Sequence, residues 1–263
     1  MYSQFSIFKK YIKYFINASN GNGHGIHSPF VYDFINNVLN KNLTNEMLSK
    51  IEKYRKHLLR SNELISVEDF GAGSRKIKVN RRQVKNIAKT SLKPKKYAAL
   101  LFNIAKYYKT QNIIELGTSL GITTSYLSAS GFNVYTIEGS KEIAEIASSG
   151  FKKNDFSNIK LFLGKFEDQL PAILSEIERV DLAFVDGDHR KISTLNYFNQ
   201  LKEKSTENTI LIFDDIYWSE EMEDAWNIIK NDPDVTLSID LFFIGLIFFR
   251  KDFKVKQHFT IRF

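Results

Sequence analysis

The 263-residue chain contains no cysteine. That excludes disulfides, thiolate catalysis and cysteine-based zinc sites, and it agrees with a reducing, cytoplasmic setting. The N-terminal stretch MYSQFSIFKKYIKYFINASNG has no continuous apolar run, so it reads neither as a signal peptide nor as a membrane span. Repeats and low-complexity tracts are also missing. What is present, 43% hydrophobic and 25% charged residues, is ordinary for a soluble globular protein with a sizeable core. The length suits one large domain, or one domain plus an extension.

The net charge of +7 conceals an asymmetry. Residues 1–110 hold 21 Lys and Arg against 6 Asp and Glu, whereas residues 111–263 hold 16 against 24. The basic half raises the prospect of a nucleic-acid partner. Within it, Phe5, Phe8, Ile12 and Phe15 recur at helical spacing with Lys9, Lys10 and Lys13 between them. The pattern favours a helix packed on its own domain or on a second subunit of a homodimer, with a membrane-surface helix as the alternative.

Asn17 to Gly25 reads as a loop, after which Ser28 and Pro29 supply an N-cap and a first helical residue. Helices follow to about Leu39 and over Asn45–Leu59. His24 and His27 stand in that loop with no third ligand beside them, so they read as loop residues rather than a metal site. From Lys95 onward the order is regular. Helix Lys96–Tyr108, strand Asn112–Leu116, helix Leu120–Ser130 and strand Asn133–Ile137 come first. Helix Glu142–Lys153, strand Ile159–Leu163, helix Gln169–Ile177 and strand Val180–Val185 continue the alternation. Helix Leu195–Lys204, strand Thr209–Phe213 and helix Glu220–Ile229 complete it. Strands alternating with helices imply an α/β, Rossmann-like, doubly wound and mostly parallel sheet. The ending differs: strands Val235–Asp240 and Phe243–Arg250 are joined by so short a turn that one must run antiparallel. The expected organisation is an N-terminal helical extension over 1–94 and a ligand-binding domain over 95–263.

Two glycine stretches compete for the ligand. In VEDFGAGSRKIKVNRR, Val67 to Arg82, the glycines give way to a run of ten basic residues and no acid from Arg75 to Lys96, and no second strand ending in an acid follows. IIELGTSLGITT, Ile113 to Thr124, has what a site at the carboxyl ends of a doubly wound sheet requires. Gly117 and Gly121 bracket its turn, a helix of small residues follows, and the next strand ends at Glu138. The spacing Gly-x-x-x-Gly is not the Gly-x-Gly-x-x-Gly of dinucleotide sites, which suits a cofactor without phosphates. Residues Gly71–Arg82 then read as a mobile, positively charged lid or as a solvated connector.

The segments IIELGTSLGITT, YTIEGS, LFLGKFEDQLP, LAFVDGDH and LIFDDIYW resemble, in order and spacing, the class I S-adenosylmethionine-dependent methyltransferases. The nearer likeness is to the catechol and caffeoyl-CoA O-methyltransferase branch, and it covers Lys95 to about Arg250. The resemblance implies a seven-stranded sheet whose last-formed strand is inserted antiparallel. It implies that Glu115, Gly117, Thr118, Ser119 and Gly121 surround the methionine part of S-adenosylmethionine and that Glu138 holds the ribose hydroxyls. Gly164 and the segment Lys165 to Glu167, Phe166 included, would border the adenine; Thr123, Gly139 and Asp186 complete the expected cofactor set.

Asp186, Asp188 and His189 follow one strand, and Asp214 and Asp215 the next. Four carboxylates on one rim repel unless a cation or hydrogen bonds compensate, and oxygen ligands of this kind suit Mg²⁺, Mn²⁺ or Ca²⁺. In the metal-dependent relatives the ligands fall at positions matching Asp186, Asp214 and Asp215, although the third is usually Asn there. The alternative gives Asp186 to the cofactor and leaves Asp214 and Asp215 capping a helix. His189 falls where the catechol-type enzymes place a lysine base, so His189 and Asp186 are the expected catalytic pair, with Trp218 and Tyr217 as candidate walls of an acceptor pocket. The function expected is O-methylation of a small hydroxylated molecule. Two alternatives stand beside it: methylation of RNA or another polyanion through the basic segment, and a non-catalytic nucleic-acid or membrane-binding module. No proline lies near Asp186-Gly187-Asp188-His189, which counts against base N-methylation of the Asp/Asn-Pro-Pro-aromatic type.

Overall fold

The computed structural model describes residues 1–42, 46–69 and 78–263. Ser3 caps α1 (Gln4–Asn17), its hydroxyl oxygen accepting the Ser6 N–H at 3.1 Å. Pro29 opens α2 (Pro29–Phe34), which runs on into a π-helical turn over Ile35–Leu39. Helix α3 (Glu46–Leu58) carries an acid in its first turn and Arg55, Lys56 and His57 in its last, as the helix dipole favours. Strands β1 (Leu64–Asp69) and β2 (Lys78–Gln83), then helices α4 (Val84–Ser91) and α5 (Lys95–Tyr108), lead to the alternating region. There β3 (Asn112–Leu116), α6 (Ile122–Ser128), β4 (Asn133–Glu138), α7 (Lys141–Lys153), β5 (Ile159–Leu163) and α8 (Phe166–Glu176) come first. They are followed by β6 (Val180–Val185), α9 (Lys191–Glu203), β7 (Ser205–Asp214), α10 (Glu220–Asn231), β8 (Leu237–Asp240), β9 (Ile244–Phe248) and β10 (Gln257–Thr260).

The chain divides into two compact units, residues 42–177 and residues 1–41 with 178–263. In the first, β4 pairs in parallel with both β3 and β5, and the register sets Glu115 beside Thr136 and Glu138 beside Leu163. Its core joins Ile51, Leu58, Val84, Ile87, Phe102, Leu120 and Tyr126 from α3, α4, α5 and the β3–α6 turn and helix. Strands β1 and β2 form a separate antiparallel pair, Ile65 opposite Arg82. The Ser66 N–H donates to Glu142 Oε2 at 2.8 Å, tying β1 to the start of α7.

In the second unit β6 and β7 are parallel, β9 runs antiparallel to both β7 and β8, and β10 is parallel to β8. All residues of β6, β8 and β9 are buried, and apolar side chains dominate β6 and β9. Gly245 allows Trp226 of α10 to lie against β9, because a Cβ there would come within 2.6 Å of the indole ring.

The mostly parallel α/β sheet and the inserted antiparallel strand agree with expectation, but the sheet strands number eight rather than seven. The extra one is β10, a four-residue strand with a single fully apolar side chain, too short and polar to stand out in sequence. Residues 78–82 of the expected lid lie in β2, whereas 70–77, which include Gly71 and Arg75, lie outside the described residues. Helix α1 forms as expected but packs through a different face. Tyr14 is buried against Phe242 with Ile7 and Tyr11 alongside, and Phe5, Phe8, Ile12 and Phe15 are exposed. Among the described residues no helix is long and apolar enough to cross a membrane.

Candidate active site

In the first unit the expected cofactor residues other than Asp186 collect at the carboxyl ends of β3, β4 and β5. After Leu116 the chain turns through Gly117 (φ 105°), Ser119 (φ 48°) and Gly121 (φ 79°) into α6. A Cβ on Gly121 would fall 2.6 Å from the Phe151 ring, so both the left-handed backbone and the close approach of α7 require glycine here. The N–H groups of Gly117 and Thr118 both donate to the Ile137 carbonyl at 3.1 Å, binding the turn to the end of β4.

Beneath the turn lies Glu115, with no exposed surface. Its Oε2 accepts the hydroxyls of Thr124 at 2.5 Å and Thr136 at 2.7 Å, and the Thr118 hydroxyl lies 2.6 Å from that of Thr136. This chain ties β3, β4 and α6 together and supplies donors to Oε2 of a buried carboxylate, whose burial without any donor would cost several kcal/mol. Thr124 and Thr136 were not expected as site residues. The signal was there, since an acid on an apolar strand needs donors, and Thr136 is its register partner in a strand that had been placed.

Glu138 ends β4. Its Oε2 accepts the Ser119 N–H at 2.8 Å and its Oε1 accepts the Ser140 N–H at 2.9 Å. Burial raises its pKa, and the N–H groups of Ser140, Ser119 and Gly139 oppose the rise. The Glu138 carbonyl accepts from Gly164 N at 2.9 Å, and Gly164 (φ 146°) and Lys165 lead into α8 at Phe166. Thr123 is nearly buried within α6. No Lys or Arg occurs from Gly117 to Thr124, so the turn offers donors and a carboxylate but no cation for a phosphate.

In the second unit β6 delivers Asp186, Asp188 and His189, and β7 delivers Asp214 and Asp215. His189 Nε2 stands 3.9 Å from Asp186 Oδ1 and 3.9 Å from Asp215 Oδ2, ion-pair distance but too long for a hydrogen bond. Its ring lies 6.5 Å from that of Trp218. Asp188, at φ 51°, accepts two bonds from Arg190 at 2.5 and 2.6 Å and one from Tyr197 at 3.2 Å. Three groups therefore converge, Asp186, His189 and Asp215, whereas Asp188 is committed to Arg190 and Asp214 is buried at the end of β7. Among the described residues no three His, Asp or Glu side chains are gathered as ligands for one metal ion. The set Asp186, Asp214 and Asp215 thus does not fit a preformed cation site. Tyr217 donates to Asp240 Oδ2 at 2.6 Å and stacks on Phe242, which makes it a packing residue; His24 and His27 are exposed in their loop.

Residues 114–216 match the family described as a methyltransferase domain. No curated protein matches the chain. An O-methyltransferase of Bacillus cereus, solved in complex with SAH, aligns with 19% identity and a TM-score of 0.56, over 83% of this chain and 97% of that one. The O-methyltransferase TomG of Streptomyces achromogenes, involved in tomaymycin synthesis and solved with SAM, aligns with 17% identity and a TM-score of 0.58, over 84% and 95%. The SAH-bound methyltransferase PaMTH1 of Podospora anserina aligns with 13% identity and a TM-score of 0.57, over 95% and 98%. What the chain shares with them is the Rossmann-like methyltransferase fold.

Proposed function

We propose, for a chain whose residues 114–216 form a methyltransferase domain, that it is an S-adenosylmethionine-dependent O-methyltransferase acting on a small hydroxylated molecule. The observation that carries this reading is the reach of Glu138 across to the backbone of Ser119, at 2.8 Å, over a turn free of basic residues. Such a site repels phosphate and accepts hydroxyl donors, as a nucleoside with a sulfonium side chain requires. Glu138 holds the ribose hydroxyls. Gly117, Thr118, Ser119 and Gly121 line the methionine part, with Thr123 and Gly139 beside them, and Gly164, Lys165 and Phe166 border the base. Glu115 acts from beneath, fixing the turn through Thr124 and Thr136. The catalytic domain is residues 95–263, with residues 1–94 as its extension.

S-adenosylmethionine, when bound, would supply an electrophilic methyl group. The chain would supply the base: His189 Nε2 would take the proton from the acceptor hydroxyl while the methyl passes to that oxygen, the S–CH₃ bond breaking to release S-adenosylhomocysteine. Asp186 and Asp215, each 3.9 Å away, stabilise the imidazolium that results. Asp186 also serves the cofactor. Because the carboxylates do not form a preformed cation site, no step is assigned to a metal.

The test is calorimetry with S-adenosylmethionine, followed by methyl transfer to a panel of hydroxylated metabolites with and without Mg²⁺. Binding with transfer to a hydroxyl group supports the reading. Absence of cofactor binding overturns it, and transfer only to RNA overturns the acceptor class.

A further inference from the structure

Helix α1 has two faces of opposite kind. The inner one is aromatic and engaged: Tyr11 and Tyr14 meet Phe242 at ring distances of 5.1 and 5.3 Å, and the Tyr14 hydroxyl donates to the Ile261 carbonyl. The outer one carries Phe5 (64% exposed), Phe8 (60%), Ile12 (41%), Phe15 (47%) and Ile16 (68%). Steps of three and four residues align these side chains in one stripe along a 14-residue helix. A contiguous apolar surface of that kind on a soluble fold marks an interaction site.

The charge beside the stripe identifies the partner. Lys9 and Lys13 are exposed along one edge, with Lys9 Nζ 4.4 Å from the Phe5 ring centroid. The Arg262 guanidinium lies 4.6 Å from the Phe15 ring. Lys10, by contrast, points the other way and pairs with Glu223 at 2.6 Å. The first acidic residue of the chain is Asp33, so nothing in residues 1–32 neutralises this face. A second copy docking through the same face would set Lys9 and Lys13 near their own equivalents, which disfavours self-association. An anionic bilayer supplies both requirements, an apolar layer for the rings and a negative surface for the cations.

We propose that α1 is a peripheral membrane-docking helix, which lies flat on an anionic lipid surface with its Phe5–Phe8–Ile12–Phe15–Ile16 stripe inserted at the headgroup boundary. Fourteen residues rise only about 21 Å, short of the roughly 30 Å hydrocarbon layer, so the helix rests in the interface rather than spanning it.

The test is co-sedimentation of the full chain with vesicles of phosphatidylcholine alone and of phosphatidylcholine with about one-third phosphatidylglycerol. Binding is expected only to the anionic vesicles and weakens with salt. The doubles Phe5→Ser/Phe8→Ser and Lys9→Glu/Lys13→Glu, both at exposed positions, each lower the partition coefficient by at least about tenfold. Their circular dichroism and thermal transition stay at the wild-type values, which separates lost docking from lost folding. Failure to bind anionic vesicles, equal binding to neutral ones, or unchanged binding in both variants overturns the proposal. So does a wild-type dimer in sedimentation velocity that Phe5→Ser/Phe8→Ser converts to monomer while lipid binding is absent. Every readout is of lipid or assembly, so it stands apart from methyl transfer.

Discussion

Glu138 Oε2 accepts the backbone N–H of Ser119 at 2.8 Å, so the acid that ends β4 also holds the turn that follows β3. The ends of the two strands are thereby tied together in a cradle.

That cradle has a pH signature. Burial raises the pKa of Glu138 above its ordinary 4.5. On the proposed reading the carboxylate accepts ribose hydroxyls, so cofactor affinity is expected to fall as pH drops through the raised pKa, starting above the usual carboxylate range. Fold stability moves the other way. A carboxyl with a raised folded pKa binds its proton more tightly in the native state, so stability rises as pH falls through the same window. Titration calorimetry at stepped pH checks the first trend and chemical denaturation the second. Glu138→Gln removes the pH step and weakens binding by at least about tenfold; unaltered affinity in this variant removes Glu138 from the site.

Gly121→Ala places a methyl group 2.6 Å from the Phe151 ring at φ 79°. The expected cost is about 1–3 kcal/mol of stability, together with weaker cofactor binding, because either the turn or α7 must shift. Gly131→Ala is the control: φ is 93° there, but no atom lies within 4 Å, so only the backbone strain of about 1 kcal/mol is paid. Equal losses in urea denaturation would show that packing against Phe151 adds nothing.

His189→Ala lowers turnover by about 10²–10⁴-fold, the usual contribution of a general base, with cofactor affinity unchanged. Asp215→Asn keeps the shape and removes one of two charges that stabilise the imidazolium, so it costs less than His189→Ala. Steady-state kinetics with a methyl acceptor from the panel compares them. Full activity in His189→Ala assigns the proton to another group.

His258 of β10 lies 2.7 Å through Nδ1 from the Ser238 hydroxyl of β8. Partial burial, with Lys230 and Lys256 nearby, lowers its pKa below 6.5. The native state then resists protonation, so stability is present above about pH 6.5 and is lost as pH falls toward the lowered folded pKa. Melting temperature is expected to decline as buffers step from neutral to mildly acidic, and His258→Gln flattens that decline. An equal slope in the variant would show that acidification acts elsewhere.

Much of this architecture was legible because strands such as β3 and β6 are buried almost throughout and appear as mainly apolar runs between helices. The glycine turn was legible for a similar reason: Gly117, Gly121 and the acid after the next strand occur at a spacing that only one of the two glycine stretches has. Less legible were the elements whose meaning depends on distant partners. Strand β10 carries the polar residues Gln257, His258 and Thr260 and exists through its pairing with β8. Helix α4 hides in a lysine-rich segment and is held by Val84, Ile87 and Ala88 in the core. Residues 78–82 read as part of a basic lid or connector and belong to a strand because β1 pairs with them.

The sequence by itself determined the alternation of strands and helices, the choice of glycine turn, and the acids and histidine that end the strands. Local periodicity and strand ends are properties of neighbouring residues, so one dimension is enough to record them. Tertiary structure decided which groups meet: that Glu115 takes Thr124 and Thr136, that His189 stands between Asp186 and Asp215 while Asp188 is claimed by Arg190, and that α1 buries its tyrosines and leaves its phenylalanines outside. Those outcomes depend on which of several apolar or charged neighbours arrives first at a given surface, and only the packing of elements remote in sequence settles that competition.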